Sequence, residues 1–95
     1  RFSLDGPADA IVEKWCELPV RAPVTDADLS ADGKSLAVLA SDGLHVIALD
    51  EQLRPTAEAP RVLRVPKGQL EGVCFAGEGF LITAESREVY RVGRE

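Results

Sequence analysis

Three carboxylates, Asp26, Asp28 and Glu71, are the side chains in this 95-residue sequence whose types and spacing best suit chemistry. Asp26 and Asp28 stand two residues apart, so on an extended strand they share one face. Glu71 follows Asp26 by 45 residues. Carboxylates brought together in this way ligate a hard divalent cation such as calcium, or hold a cationic group of a substrate. The plainer reading is solvated acids along a channel or a loop. Other chemistry is poorly supplied. His45 is the only histidine, and no Ser or Cys motif sets a nucleophile beside it, so it reads as a strand residue more readily than as a catalytic base. The nucleophile elbow Gly-x-Ser-x-Gly is absent. The run DADLSADG imitates the start of a calcium loop, but Ala31 occupies the position that needs Gly and Ala37 the position that needs Glu, so that reading is rejected. Cys16 and Cys74 are too few and too far apart for a zinc site. Cys74 reads as a small core residue.

The elements that must position these acids are strands. Residues 24–49 hold three β-rich runs separated by Asp32-Gly33 and Asp42-Gly43, pairs that favour tight turns because Gly accepts a positive φ without a Cβ clash. Residues 35–41 form an apolar run lacking the strict alternation of a half-exposed strand, which predicts a strand buried on both faces. The pattern then returns. An offset of 45 residues carries Asp26 to Glu71, Leu29 to Cys74, Leu36 to Leu81, Ser41 to Ser86, His45 to Tyr90 and Ile47 to Val92. The same offset relates Phe2, Leu4 and Asp5 to Ile47, Leu49 and Asp50. A period in the mid-forties built from short strands marks a β-propeller blade, since helical repeats of that length need amphipathic helices that DLSADGKSLAVLASDG lacks.

The runs TDADLSADGKSLAVLASDGLHV and LEGVCFAGEGFLITAESREVYRV resemble the repeats of bacterial β-propellers of the esterase-like phytase type and their uncharacterised relatives. The likeness covers most of the chain. It departs from the common pattern at Ala31, where such turns usually carry Pro, and at residues 76–79, Ala-Gly-Glu-Gly, which replace the Asp-Gly turn. It implies an all-β propeller fragment of about two four-stranded antiparallel blades, and a periplasmic or extracellular setting, although the residues themselves leave the compartment open. In a propeller the inner strands line a central channel, which is where Asp26, Asp28 and Glu71 would face. A phosphate-binding role for Arg87 is implied by that likeness alone and has no support in the spacing.

In chain order, residues 1–22 read as the last strands of a preceding blade plus a linker, 23–66 as one complete blade, and 67–95 as the first three strands of the next. Expected strands cover 24–30, 35–41, 44–49, 62–65, 70–75, 80–84 and 88–92. Residues 10–18 are ambiguous: Ile11, Val12, Trp15 and Leu18 fall near one helical face, yet the repeat matches the segment to an outer strand, and the strand is favoured. Trp15 reads as a packing residue. Residues 19–23, PVRAP, are a crossing, because Pro donates no backbone hydrogen bond. Arg87, Arg91 and Arg94 with Glu85 and Glu88 form a mixed-charge edge.

A formal charge of −5 argues against a nucleic-acid surface, and no apolar run reaches the ~18 residues of a membrane span. Two functions are consistent with these residues. One is a binding module, for a small ligand or a protein, without chemistry. The other is a hydrolase of phosphoesters, esters or lactones in which Asp26 and Glu71 position a divalent metal that activates water. Blades bury their faces on neighbouring blades in a closed ring, so the expectation is that another segment, another chain or copies of this one supply the rest. Light scattering on the isolated chain should then give a mass above 10.2 kDa; a single-chain mass with cooperative unfolding would exclude this.

Overall fold

The computed structural model describes residues 12–93. Seven strands form two antiparallel meanders: β1 (Val24–Leu29), β2 (Ser35–Ala40), β3 (Gly43–Ala48) and β4 (Arg61–Leu63) in one sheet, and β5 (Leu70–Ala76), β6 (Gly79–Ala84) and β7 (Val89–Val92) in the other. All seven fall within a residue or two of the expected spans, and the described residues contain no helix. Accordingly no helix among them is long and apolar enough to cross a membrane. The chain is all-β. The segment 10–18 differs from expectation: its first two residues lie outside the described ones, and residues 12–18 form neither strand nor helix. The strand expected over 1–4 also lies outside the described residues.

Local sequence explains the turns. At the β1–β2 connection the Ser30 carbonyl accepts from the Gly33 amide at 2.9 Å, and Gly33 has φ +73°, a left-handed conformation that disfavours a side chain. Asp32 Oδ1 accepts from Ser30 Oγ at 2.7 Å and from the Lys34 amide at 2.9 Å, so the carboxylate fastens the turn from inside. The β2–β3 turn is the two-residue connection Ser41-Asp42, with Ala40 paired to Gly43. After β3 the chain makes a compact loop in which Asp50 Oδ1 accepts from the Gln52 and Arg54 amides, and Leu49 bridges to Pro55. Here Trp15 packs as a surface residue: its Nε1–H donates to the Gln52 carbonyl at 2.9 Å and the Arg54 guanidinium lies 4.8 Å from its ring centre.

Core packing follows from the register. Ala37 and Leu39 on β2, with Leu44 on β3, point at the second sheet, where Val73, Phe80 and Ile82 meet them; Val46, Leu63, Phe75 and Tyr90 close the margins. Residues Ala37 to Ala40 are all buried, as the unalternating apolar run predicts. Val38, His45 and Ile47 are buried as well, on the face of the first sheet turned away from this cluster.

Cys74 corrects the sequence expectation. It is exposed, not a core residue, because it alternates with Val73 and Phe75, which take the core-facing positions of β5.

Both first strands carry a β-bulge, at Thr25 between Val24 and Asp26 and at Glu71 between Leu70 and Gly72. Aligning the bulges sets Asp26 beside Gly72, one residue past the 45-residue offset. The third strands keep that offset: His45 opposite Val38 corresponds to Tyr90 opposite Ile82.

Phe80 and Ile82 are fully buried in the inter-sheet cluster. Ile82→Val should cost about 0.5–1.5 kcal/mol and Phe80→Ala about 3–5 kcal/mol in denaturant unfolding, while truncating the half-exposed Val62 stays within about 0.5 kcal/mol.

Candidate functional site

Asp26 and Asp28 lie on β1 opposite Leu39 and Ala37, hence on the face that looks at the second sheet. Each is half-buried. Asp26 Oδ2 accepts from the Val73 amide and Asp28 Oδ2 from the Phe75 amide, both at 2.9 Å. These amides belong to β5, the terminal strand of its sheet. Two carboxylates spaced i, i+2 therefore meet two backbone donors spaced i, i+2, and because 26 pairs with 73 and 28 with 75, β1 and β5 run in the same direction. Hydrogen bonds to an ionised acceptor are shorter and stronger than neutral ones, and they satisfy a strand edge that would otherwise be open.

Gly72 makes room for this contact. A Cβ on it would stand 2.8 Å from Thr83 Oγ1, so a side chain would make the Thr83 hydroxyl shift, and 3.5 Å from Asp26 Oδ2, an ordinary contact.

Glu71 sits elsewhere. As the bulged residue of β5 it is exposed, and its structural counterpart in the first sheet is Thr25, not Asp26. A slip of one residue turns a strand side chain to the opposite face, so the offset that pairs Asp26 with Glu71 in the sequence does not pair them in space. Among the described residues no three His, Cys, Asp or Glu side chains gather as a metal-binding group.

His45 is buried on β3, and its Nε2–H donates to Asp42 Oδ1 at 2.7 Å, tying the strand to the β2–β3 turn. That hydrogen bond holds the Asp42 carboxyl below its ordinary value. Asp32 is lowered likewise, first by the Ser30 hydroxyl and then by the Lys34 amide. Just before β7, Glu88 Oε1 accepts from the Ser86 hydroxyl and from the Tyr90 phenol, and the Tyr90 phenol is pushed up by that hydrogen bond. Arg87 occupies a left-handed turn position, φ 72°, and Arg94 lies outside the described residues. Arg87 and Arg91 make no ion pair with a described carboxylate.

One further feature was not singled out by sequence reasoning. Where β1 and β5 begin, an open groove of about 800 Å³ runs between the sheets. Thr25 and the Ser41-Asp42 turn form one bank, and Arg64, Lys67 and Gln69 from the β4–β5 crossing form the other. A smaller depression of about 480 Å³, with Glu85, Glu88 and Tyr90 along it, lies on the far side of the same crossing. Arg64 and Lys67 have no carboxylate partner among the described residues. The signal available in the sequence was two cations three residues apart around Pro66, in a segment read only as a link.

No protein-family model, curated protein or solved structure matches the chain.

Removing the Asp28 carboxylate takes away an acceptor 2.9 Å from the Phe75 amide, so Asp28→Ala should cost about 1–3 kcal/mol, with Asp28→Asn less damaging since it keeps an acceptor. Hydrogen exchange should accelerate at Phe75 in the Ala variant and leave Val73, held by Asp26, nearly unchanged. The lowered carboxyls of Asp32 and Asp42 favour the folded state above the ordinary Asp range, and that contribution disappears as pH falls through their depressed values. An NMR titration of Asp42 should therefore have its midpoint below that of a free Asp, returning toward it in His45→Leu.

Proposed function

We propose that this chain is a binding module of the β-propeller kind, which holds a small ligand or a segment of another protein in the groove between its two sheets and performs no chemistry of its own. One observation carries the reading: Arg64 and Lys67, two cations without carboxylate partners among the described residues, face the Ser41-Asp42 turn across a groove of about 800 Å³. That volume lies within the range of about 300–1,000 Å³ typical of ligand sites. A groove with Thr25, Ser41 and Gln69 beside those cations offers both donors and acceptors, which is what orienting a polar ligand requires. The repeated meander and the motif residues of the sequence support the propeller part of the reading.

The hydrolase alternative asks Asp26 and Glu71 to hold one divalent cation. Asp26 already accepts a backbone hydrogen bond, and Glu71 is exposed at a bulge, so the binding reading is the one adopted.

An NMR screen against small carboxylates and inorganic phosphate tests it. Amide shifts should cluster at Thr25, Ser41 and residues 67–70, and should vanish in Arg64→Gln/Lys67→Gln. Arg91→Gln, on β7 and outside the groove, should behave as the parent. Absence of any clustered shift, or clustering that survives the double substitution, would remove the proposal.

A further inference from the structure

The outer edge of β1 carries the same pair of backbone donors that Asp26 and Asp28 cap on β5. The Ser30 amide donates to the Ser35 carbonyl at 2.9 Å, which makes this a hydrogen-bonded pair. Such pairs alternate with non-bonded ones in an antiparallel ladder. In the observed register, Asp28 with Ala37 and Asp26 with Leu39 are therefore bonded, whereas Ala27 with Val38 and Leu29 with Leu36 are not. The N–H groups of Ala27 and Leu29 consequently point away from β2, and β1 is the terminal strand of its sheet. Among the described residues, no acceptor meets either amide.

Alignment of the bulges places Ala27 where β5 has Val73, and Leu29 where it has Phe75. Among the described residues, one edge thus has its occupant and a second, equivalent edge has none. Ala27 is exposed and Leu29 is 44% exposed, so the second edge is accessible.

We propose that the β1 edge is a docking line for an extended acidic segment, parallel to β1, whose two Asp residues at i and i+2 accept from the Ala27 and Leu29 amides as Asp26 and Asp28 accept from Val73 and Phe75. The spacing of the donors selects that occupant. Two amide donors spaced by two residues call for two acceptors with the same repeat, and β1 shows that Asp has the right reach. The second sheet of another copy cannot serve, because β5 carries Gly72 and Cys74 at the positions corresponding to Asp26 and Asp28. The β1 carboxylates of another copy are already engaged with their own β5. The partner is a strand of different sequence with an Asp-x-Asp core.

The test uses the full chain and the blocked peptide Val-Thr-Asp-Ala-Asp-Leu as probe, with its Asp→Asn counterpart as control. Without peptide, the Ala27 and Leu29 amides should exchange with solvent much faster than Val73 and Phe75. With the acidic peptide, exchange should slow and the ¹⁵N–¹H shifts should move at Ala27 and Leu29, and the Asn peptide should bind about tenfold more weakly or worse, having lost two charge-assisted bonds. Three results would overturn the proposal: Ala27 and Leu29 already protected in the free chain, equal binding of the two peptides, or shifts confined to Val73 and Phe75, as when the peptide merely displaces Asp26 and Asp28.

Discussion

Two carboxylates on β1 hold two amides on β5, and these bonds, across 47 residues of sequence, decide how the sheets sit. A sheet edge is a row of donors and acceptors that must find partners. Here the edge of one sheet is answered by side chains of its neighbour and not by another strand. The acids also lie on the same face as Ala37 and Leu39, so they form the polar margin of the apolar cluster that Phe80 and Ile82 fill from the other side. Apolar packing supplies the attraction between the sheets and has no direction of its own. The carboxylate pair supplies the direction: it sets which residue of β5 faces which residue of β1.

This division of labour explains features that are otherwise unconnected. Gly72 is small because a Cβ there would crowd the Thr83 hydroxyl at 2.8 Å. The bulges at Thr25 and Glu71 come just before the paired segments, where an added residue bends the strand and turns the following side chains to the face they need. The groove beside them opens where the Asp contacts have not yet begun, and the β4–β5 crossing with Arg64 and Lys67 forms one of its banks. The short edge strand β4, with Arg61 and the neighbouring Arg64, is the kind of clipped, charged edge that resists unwanted strand pairing.

Much of the fold was legible because its signals are local. Asp-Gly pairs and unbroken apolar runs locate β2 and β3, and the returning pattern locates β5 to β7. The site was legible only in part. The Asp-x-Asp spacing drew attention to the right residues, but a carboxylate that seeks a cation and one that seeks an amide look alike in sequence, since the donor is a backbone group without a letter of its own. Glu71 enters by a constant offset of 45, but the first strands align at an offset of 46 because the β5–β6 connection is two residues shorter than its counterpart and the β6–β7 connection one longer, and that one residue reverses the face. The repeat favours a strand over residues 10–18, yet in the described part, 12–18, Trp15 rests on the Asp50 loop instead of joining a ladder. Cys74 was placed in the core by composition, whereas alternation along β5 sends it outward.

The joint at Asp26 and Asp28 also has a mechanical meaning. One fastening would let a sheet slide or swivel about a point. Two fastenings on the same strand, roughly 7 Å apart by ordinary strand rise, suppress both and leave a single line about which the sheets can open, like the spine of a book. Phe80 and Ile82 pressed against Leu39 and Leu44 hold the covers shut. A rotation about that line would widen the groove between Thr25 and Arg64 and would work against the cluster that holds Phe80, Ile82, Leu39 and Leu44.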